Sequence, residues 1–455
     1  MIHFLKFEIY FSIALTSLFL IGCDDKNDTP SESIKVNEFI SDTMSDYYYW
    51  NEQIPKSGLN KASDPNDYFE SLLYKPVDKW SFITDDYEGL MAHLSGTFTT
   101  NGMEFILSYT DNSKTKIFGI VEYCEKNSPA HNAGIQRGDL IYKINGEQLD
   151  VNNYQRLLML PDYTLTLATR SINGDFTPLS PSINLNSIEL DVDPVFLTKV
   201  FNYNGIKTGY LIYNSFIGDE DDAHLKSAFQ YFKDNGVTEL IIDLRYNSGG
   251  LVSSANLMCS MVLPASYSGQ IMFNYTYNED FTNYLKINEP DYLESQKQRI
   301  VATPTNLSLQ RVFVLTTENT ASASELVIYG LKSFINVVQI GSQTTGKYYA
   351  STTFQKEDEY TNWAIQPLFA RLESKAQGID YTQGLIPNIV KDDDLFTPLG
   401  DESELLLNTA LNQIYGSYPT KALKKGRIAN LQQLVGSKMK LHPEKFRMLI
   451  KNPIK

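Results

Sequence analysis

Three hydroxyls and one lysine carry the chemistry that their spacing makes possible. Thr320, Ser322 and Ser324 crowd the start of a stretch, Glu325 to Phe334, whose apolar residues recur at helical spacing. Free backbone N–H groups and the helix dipole favour developing negative charge at such a place, so a nucleophile there is well supported. Lys347 ends the loop Gln343-Thr344-Thr345-Gly346-Lys347, which follows an apolar strand, Val337 to Gly341. A serine hydroxyl is a poor nucleophile until a base takes its proton. A lysine can be that base only if its pKa falls well below about 10.4, and burial does this by disfavouring the ammonium. Lys347 is therefore expected to be enclosed, with its nitrogen within hydrogen-bond reach of a hydroxyl. Spacing alone leaves open which of the three hydroxyls that is.

These groups need a rigid support, and the chain supplies one. Arg311 to Thr317 is a β-branched and aromatic run expected to be a strand, as are Thr208 to Tyr213 and Glu239 to Arg245. Helical stretches lie between them, at Asp219 to Asn235 and from Ser253 onward. This alternation predicts an α/β catalytic domain of stacked strand-helix units over residues 190–415, closed by a helix at Glu402 to Ile414. The strand at Asp243 runs into Tyr246-Asn247-Ser248-Gly249-Gly250, where a Gly-Gly step leaves backbone N–H groups unobstructed. Asp243 and Arg245 are expected to form an ion pair that fixes this loop.

The segment over residues 34–85 is read as a small helical cap, with helices at Ile34 to Tyr49 and Pro65 to Leu73. Its aromatic residues, including those of Lys79-Trp80-Ser81-Phe82, are assigned to the cap's own core. Residues 86–185 change to short strands and turns. Within them Ser128 to Glu147, SPAHNAGIQRGDLIYKINGE, looks like a PDZ domain: a short helix closed by Gly134, a Gly-Asp turn, and a strand Leu140 to Ile144 leading into an Asn145-Gly146 hairpin. PDZ domains add an extended peptide to a sheet edge and hold its carboxylate on backbone N–H groups. The loop for that task is expected at Gly102, Met103 and Phe105, although Glu104 is unhelpful beside a carboxylate unless it points away.

Composition bounds the rest. The 455 residues carry a formal charge of -15, which argues against nucleic acid as a partner. The five histidines are scattered and no zinc-type Cys/His spacing occurs, so no metal or other cofactor is expected. His224 is placed in a helix in a structural or exposed role. Ile9 to Leu20 is apolar, too short to span a bilayer, and runs into Leu20-Ile21-Gly22-Cys23, which resembles a bacterial lipoprotein signal. Residues 1–22 would then be a cleaved signal peptide, Cys23 would carry lipid, and residues 23–33 would be a tether. The expected location is the bacterial cell envelope, periplasmic or at the outer membrane or cell surface. Cys124 and Cys259 fall in different domains, so no disulfide between them is expected. Residues 416–455 form a basic extension.

Taken together, Ala321-Ser322-Ala323-Ser324-Glu325 and Gly346-Lys347 resemble the signature of the carboxy-terminal processing peptidases, or tail-specific proteases, which use a serine and lysine pair. In that family the nucleophile stands three residues before the glutamate and the lysine twenty-five after the serine, as Ser322 and Lys347 do here. The resemblance covers roughly Ile34 to Ile414. It implies a multidomain α+β protein with a crotonase- or ClpP-like catalytic core. It also implies an oxyanion hole from the N–H groups of Gly249 or Gly250 and of Ala323, and an acyl-enzyme formed on Ser322 from a polypeptide substrate. Glu325 is assigned to orienting its neighbours. Many members have a glutamine four residues after the lysine, where this chain has Ser351, a possible substitute for orienting Lys347. Some have an aspartate eleven after the serine, where this chain has Ser333. A catalytically silent PDZ-type peptide-binding lipoprotein is the competing reading.

Overall fold

The computed structural model describes residues 32–218, 221–355, 362–375, 380–419, 434–438 and 447–450. The signal peptide, Cys23 and nearly all of the tether lie outside these residues. Among the described residues no helix is long and apolar enough to cross a membrane.

The cap forms because two short helices share one apolar seam. Val36, Ile40 and Met44 recur every four residues along the helix Glu32–Tyr47 and bury against Tyr68, Phe69 and Leu72 of the helix Pro65–Leu72. That second helix starts where Asp64 accepts from the Asn66 N–H at 2.9 Å and a proline occupies the first turn. The strand Phe82–Thr84 then pairs with Ala364–Gln366 of the catalytic part, so the two share a sheet.

The catalytic part is built on six strands in the order Val195–Tyr203, Ile206–Tyr213, Glu239–Asp243, Arg311–Thr316, Asn336–Gly341 and Ile389–Val390. All run parallel except the first. Their side chains alternate between two cores, as a pleated strand requires. Leu240, Ile242, Val312 and Val314 face the helices Asp221–Asp234, Val252–Val262 and Ala323–Leu331. Ile241, Phe313 and Leu315 face Leu407 and Leu411 of the helix Leu405–Tyr415. In an open sheet of this kind the loops at the carboxyl ends of the strands gather ligands. Gly249, Ser322 and Lys347 all lie in the segments leaving such ends, after Asp243, Thr316 and Gly341.

The PDZ-like part has its own core around Phe105, Ile141 and Leu165. Its strand Leu140–Ile144 and the turn at Asn145 and Gly146, both with positive φ, form as expected. Cys124 belongs to this core and Cys259 to the catalytic one, and both are free.

The basic extension lies outside the stretch that carries the resemblance, and the sequence assigns it no role. Two of its pieces add to sheets: Leu434–Ser437 pairs antiparallel with Met103–Tyr109, and Arg447–Leu449 pairs parallel with Gly249–Leu251.

Candidate active site

Ser322 caps the helix Ala323–Leu331 at the end of a tight turn. Its φ of 62° and ψ of -117° are strained for a residue with a Cβ, and strand-to-helix turns of this strained kind are known to present serine nucleophiles. The turn is overdetermined by its neighbours. Ala321 N–H and Ser324 Oγ both donate to the Asn247 carbonyl, at 3.1 and 3.0 Å, and Thr320 Oγ1 donates to the Leu244 carbonyl at 2.8 Å. Asn247 Nδ2 in turn donates to the Tyr213 carbonyl at 2.9 Å. Asn247 was not singled out in the sequence, yet it holds the nucleophile's loop against the glycine loop.

Glu325 joins the serine to the lysine. Fully buried, its carboxylate accepts from the Ser322 N–H at 2.8 Å, the Gly346 N–H at 2.7 Å and the Lys347 N–H at 2.9 Å, and from the Thr344 hydroxyl. Burial pushes this carboxyl up to about 7, and the hydrogen bonds from Thr344, Ser322, Gly346 and Lys347 oppose the rise. The assignment of Glu325 to orientation thus has a concrete form: it fixes the backbone beside both reacting groups.

Lys347 is 2% exposed, so the expected enclosure is present. Part of the cover is Trp80, whose ring centroid lies 6.0 Å from Nζ and which packs on Ala321. Trp80 was assigned to the cap's core; it belongs instead to this site. Its ring excludes water from the amine, while its π face favours the ammonium.

Three expectations need correction. Ser322 Oγ is buried with no hydrogen-bond partner among the described residues, so the expected bond to Lys347 is not made in this conformation. Ser351 Oγ is likewise buried and unpartnered, and therefore does not orient the lysine by a direct bond. Its carbonyl accepts from Ile450 N–H at 3.1 Å. The Gly249 N–H donates to Asn247 Oδ1 at 2.8 Å, which removes it as an oxyanion donor and leaves Gly250 and Ala323 of the residues assigned. Gly250 has φ 136°, and a Cβ there would lie 2.0 Å from the Phe216 carbonyl oxygen, so the loop requires glycine.

The ion pair expected of Asp243 and Arg245 is present and larger than foreseen. Arg245 Nε donates to Asp243 at 2.9 Å, Nη2 to Glu404 at 2.8 Å and Nη1 to Asp393 at 3.0 Å, with Arg245, Asp243 and Glu404 fully buried. Asp393 also accepts from Arg137 of the PDZ-like part at 2.5 Å, which ties that part to the glycine loop.

The PDZ-like loop is not arranged for a carboxylate. Gly102 N–H donates to Thr100 Oγ1 at 3.0 Å and Met103 N–H to Asn101 Oδ1 at 3.1 Å, so both are committed. The carbonyls of Met103 and Phe105 are the groups offered outward, and both accept from Lys438. His224 is half-exposed and pairs with Asp193 at 3.0 Å, away from any triad. Among the described residues no group of His, Cys, Asp and Glu could hold a metal ion.

Comparison with known proteins agrees with this architecture. The sequence model for peptidase family S41 matches residues 207–390, that for the S41 N-terminal domain residues 35–82, and that for the PDZ domain residues 120–167. A protein described as a probable CtpA-like serine protease from Staphylococcus aureus is 25% identical over 343 residues, 70% of this chain and 63% of its own length. A carboxyl-terminal-processing protease from a Picosynechococcus species is 26% identical over 388 residues, covering 82% of this chain and 85% of its own. The chain thus spans 63% of the length of the Staphylococcus relatives it matches. Among solved structures, a putative S41 protease from Bacteroides fragilis superposes with a TM-score of 0.69 at 26% identity, over 84% of this chain and 98% of that one.

Proposed function

The chain belongs to peptidase family S41, and we propose that it is a serine endopeptidase of the carboxy-terminal processing type, acting on unfolded or tail-exposed polypeptides. One observation carries this reading: the single Glu325 carboxylate accepts from the backbone of both Ser322 and Lys347, with the lysine buried and the serine at a strained helix start. In the reaction, neutral Lys347 takes the Ser322 proton as Oγ attacks the scissile carbonyl. The N–H groups of Gly250 and Ala323 face the oxyanion, and the lysinium returns its proton to the leaving amine. Water then attacks the acyl-enzyme, with Lys347 again the base. Catalytic hydrogen bonds are commonly incomplete without substrate, which accommodates the unbonded Ser322 hydroxyl.

That same unbonded hydroxyl favours the second reading, a silent peptide-binding protein. Casein cleavage separates the two: the peptidase reading expects turnover that Ser322→Ala and Lys347→Ala both abolish, and a fluorophosphonate adduct on Ser322 by mass spectrometry. Turnover unchanged by Ser322→Ala, or neither turnover nor adduct, would sink it.

We also propose attachment to the bacterial cell envelope through lipid on Cys23, facing the periplasm or the outside. The support is sequence alone, the apolar stretch ending in Leu20-Ile21-Gly22-Cys23. Radiolabelled palmitate in the mature chain, lost with Cys23→Ala, is the expected result.

A further inference from the structure

The peptide track of the molecule already contains a strand. Residues 434–438 lie along the PDZ edge, with Gly436 opposite Leu107 and Ser437 opposite Ile106. Lys438 closes this run: its N–H donates to the Phe105 carbonyl at 2.9 Å, and its Nζ to the Met103 carbonyl at 2.7 Å, 3.2 Å from Glu104. Both charged side chains are largely enclosed, at 15% and 11% exposure, where an unpaired charge would be costly. On its other side the run touches the nucleophile's loop, where Ser437 Oγ donates to Asn319 Oδ1 at 3.1 Å.

The next described piece reaches the reaction site. Arg447–Leu449 runs parallel beside Gly249–Leu251 and meets Ser351, while Ile450 bonds both ways with the strand after Lys347: its N–H to the Ser351 carbonyl and its carbonyl to Thr352 Oγ1 at 3.1 Å. Met448, Leu449 and Ile450 are buried. A cavity of about 840 Å³ opens over Tyr246, Ser248, Gly249 and Gly250, but Leu449 and Ile450 form part of its wall, and neither Ser322 nor Lys347 lines it.

We propose that the PDZ edge of this chain is built for an internal, lysine-bearing strand rather than a free carboxyl end, and that the chain's own C-terminal extension is its resident ligand, closing the active site at rest. The acceptors at the edge fit a cation: Glu104 and the Met103 carbonyl converge on the Lys438 amine, while the N–H groups of Gly102 and Met103 that a carboxylate would need are spent within the loop. An incoming polypeptide must displace residues 434–438 before it can add to the PDZ edge, and residues 447–450 before it can pair along Gly249–Leu251. Closure of the active site rests on the peptidase reading; occupancy of the edge does not.

Binding is therefore measured in the Ser322→Ala protein, using a fluorescein-labelled peptide of the sequence of residues 431–442, with its C-terminus amidated or free. A chain ending at Pro419 is expected to bind both forms equally, to bind the Lys438→Glu peptide at least about tenfold more weakly, and the full-length chain to exclude all of them. Full-length Lys438→Glu, which retains the whole chain, is expected to admit the peptide. Preference for the free carboxyl form, indifference to Lys438→Glu, or equal binding by full-length protein would overturn the proposal. With Ser322 intact, the shortened chain is expected to cleave casein at least about fivefold faster than the full-length one. If both bind as stated and neither cleaves, the peptidase reading fails and the occupancy stands.

Discussion

The Glu325 carboxylate holds the Lys347 backbone N–H at 2.9 Å while accepting the Ser322 N–H with the same oxygen at 2.8 Å, so one atom sets the separation of the two reacting residues. Glu325→Gln should lower kcat by about tenfold or more with little change in KM, because an amide turned to face donors loses part of the cradle. The pH dependence follows from the carboxyl's displacement to about 7. A carboxyl raised on folding contributes stability that is present below its unfolded pKa and lost as pH rises through the folded one. Between about pH 5 and about pH 8 the Tm advantage of the wild type over Glu325→Gln should therefore shrink. Thermal unfolding across that range checks it, and a constant difference would contradict the shift.

Ser322 combines a positive φ with a buried hydroxyl that has no hydrogen-bond partner among the described residues, two costs that serve no structural end. Ser322→Gly is expected to abolish turnover and yet raise stability by about 1 kcal/mol, since glycine adopts this conformation freely. Ser322→Ala keeps the strain and should gain less. Denaturant midpoints of the three proteins give the order.

Arg245 neutralises carboxylates that have no other route to solvent, Asp243 and Glu404 being wholly buried. Arg245→Met would strand them and should cost about 3–5 kcal/mol, enough to threaten folding. Arg245→Met with Glu404→Leu should recover part of that loss, a non-additivity that a double-mutant cycle in urea measures.

Trp80 shields the Lys347 amine, and its removal admits water. Trp80→Ala should raise the lysine pKa, because the gain in solvation of the ammonium outweighs the loss of a π face 6.0 Å away, and so move the acid limb of the kcat/KM profile up by about one pH unit. Trp80→Phe should leave the limb near its wild-type position. An unshifted limb in the alanine variant would mean that the ring contributes nothing to the amine's environment.

Much of this site was legible in the chain because its signals are local. The serine, glutamate and lysine stand at fixed spacings on a strand-turn-helix unit, and the PDZ string has its own turn residues, so no distant contact is needed to recognise either. Trp80 was misplaced because nothing in Lys79-Trp80-Ser81-Phe82 says which surface the cap docks against; the pairing of Phe82–Thr84 with Ala364–Gln366 decides that. Leu434–Ser437 and Arg447–Leu449 carry neither alternation nor flanking turns long enough to mark a strand. Their form is imposed by the edges they meet. The loss of Gly249 as a donor did leave a trace, since an asparagine two residues before a glycine commonly bonds that N–H in a turn.

With Gly249 committed to Asn247, the oxyanion reading narrows to Gly250, and the backbone there tolerates no side chain. A methyl group at residue 250 would meet the Phe216 carbonyl oxygen at 2.0 Å with φ at 136°, so the loop must move for Gly250→Ala to fold. Loss of one oxyanion donor costs about 10²–10³ in kcat, and a displaced loop gives at least that. The loop also pairs with Arg447–Leu449, so the same change should loosen the tail. Gly250→Ala is therefore expected to lose casein turnover while its shifted loop exchanges amide hydrogens faster at residues 447–450 than the wild type does. Full turnover in this variant would place the oxyanion donor elsewhere.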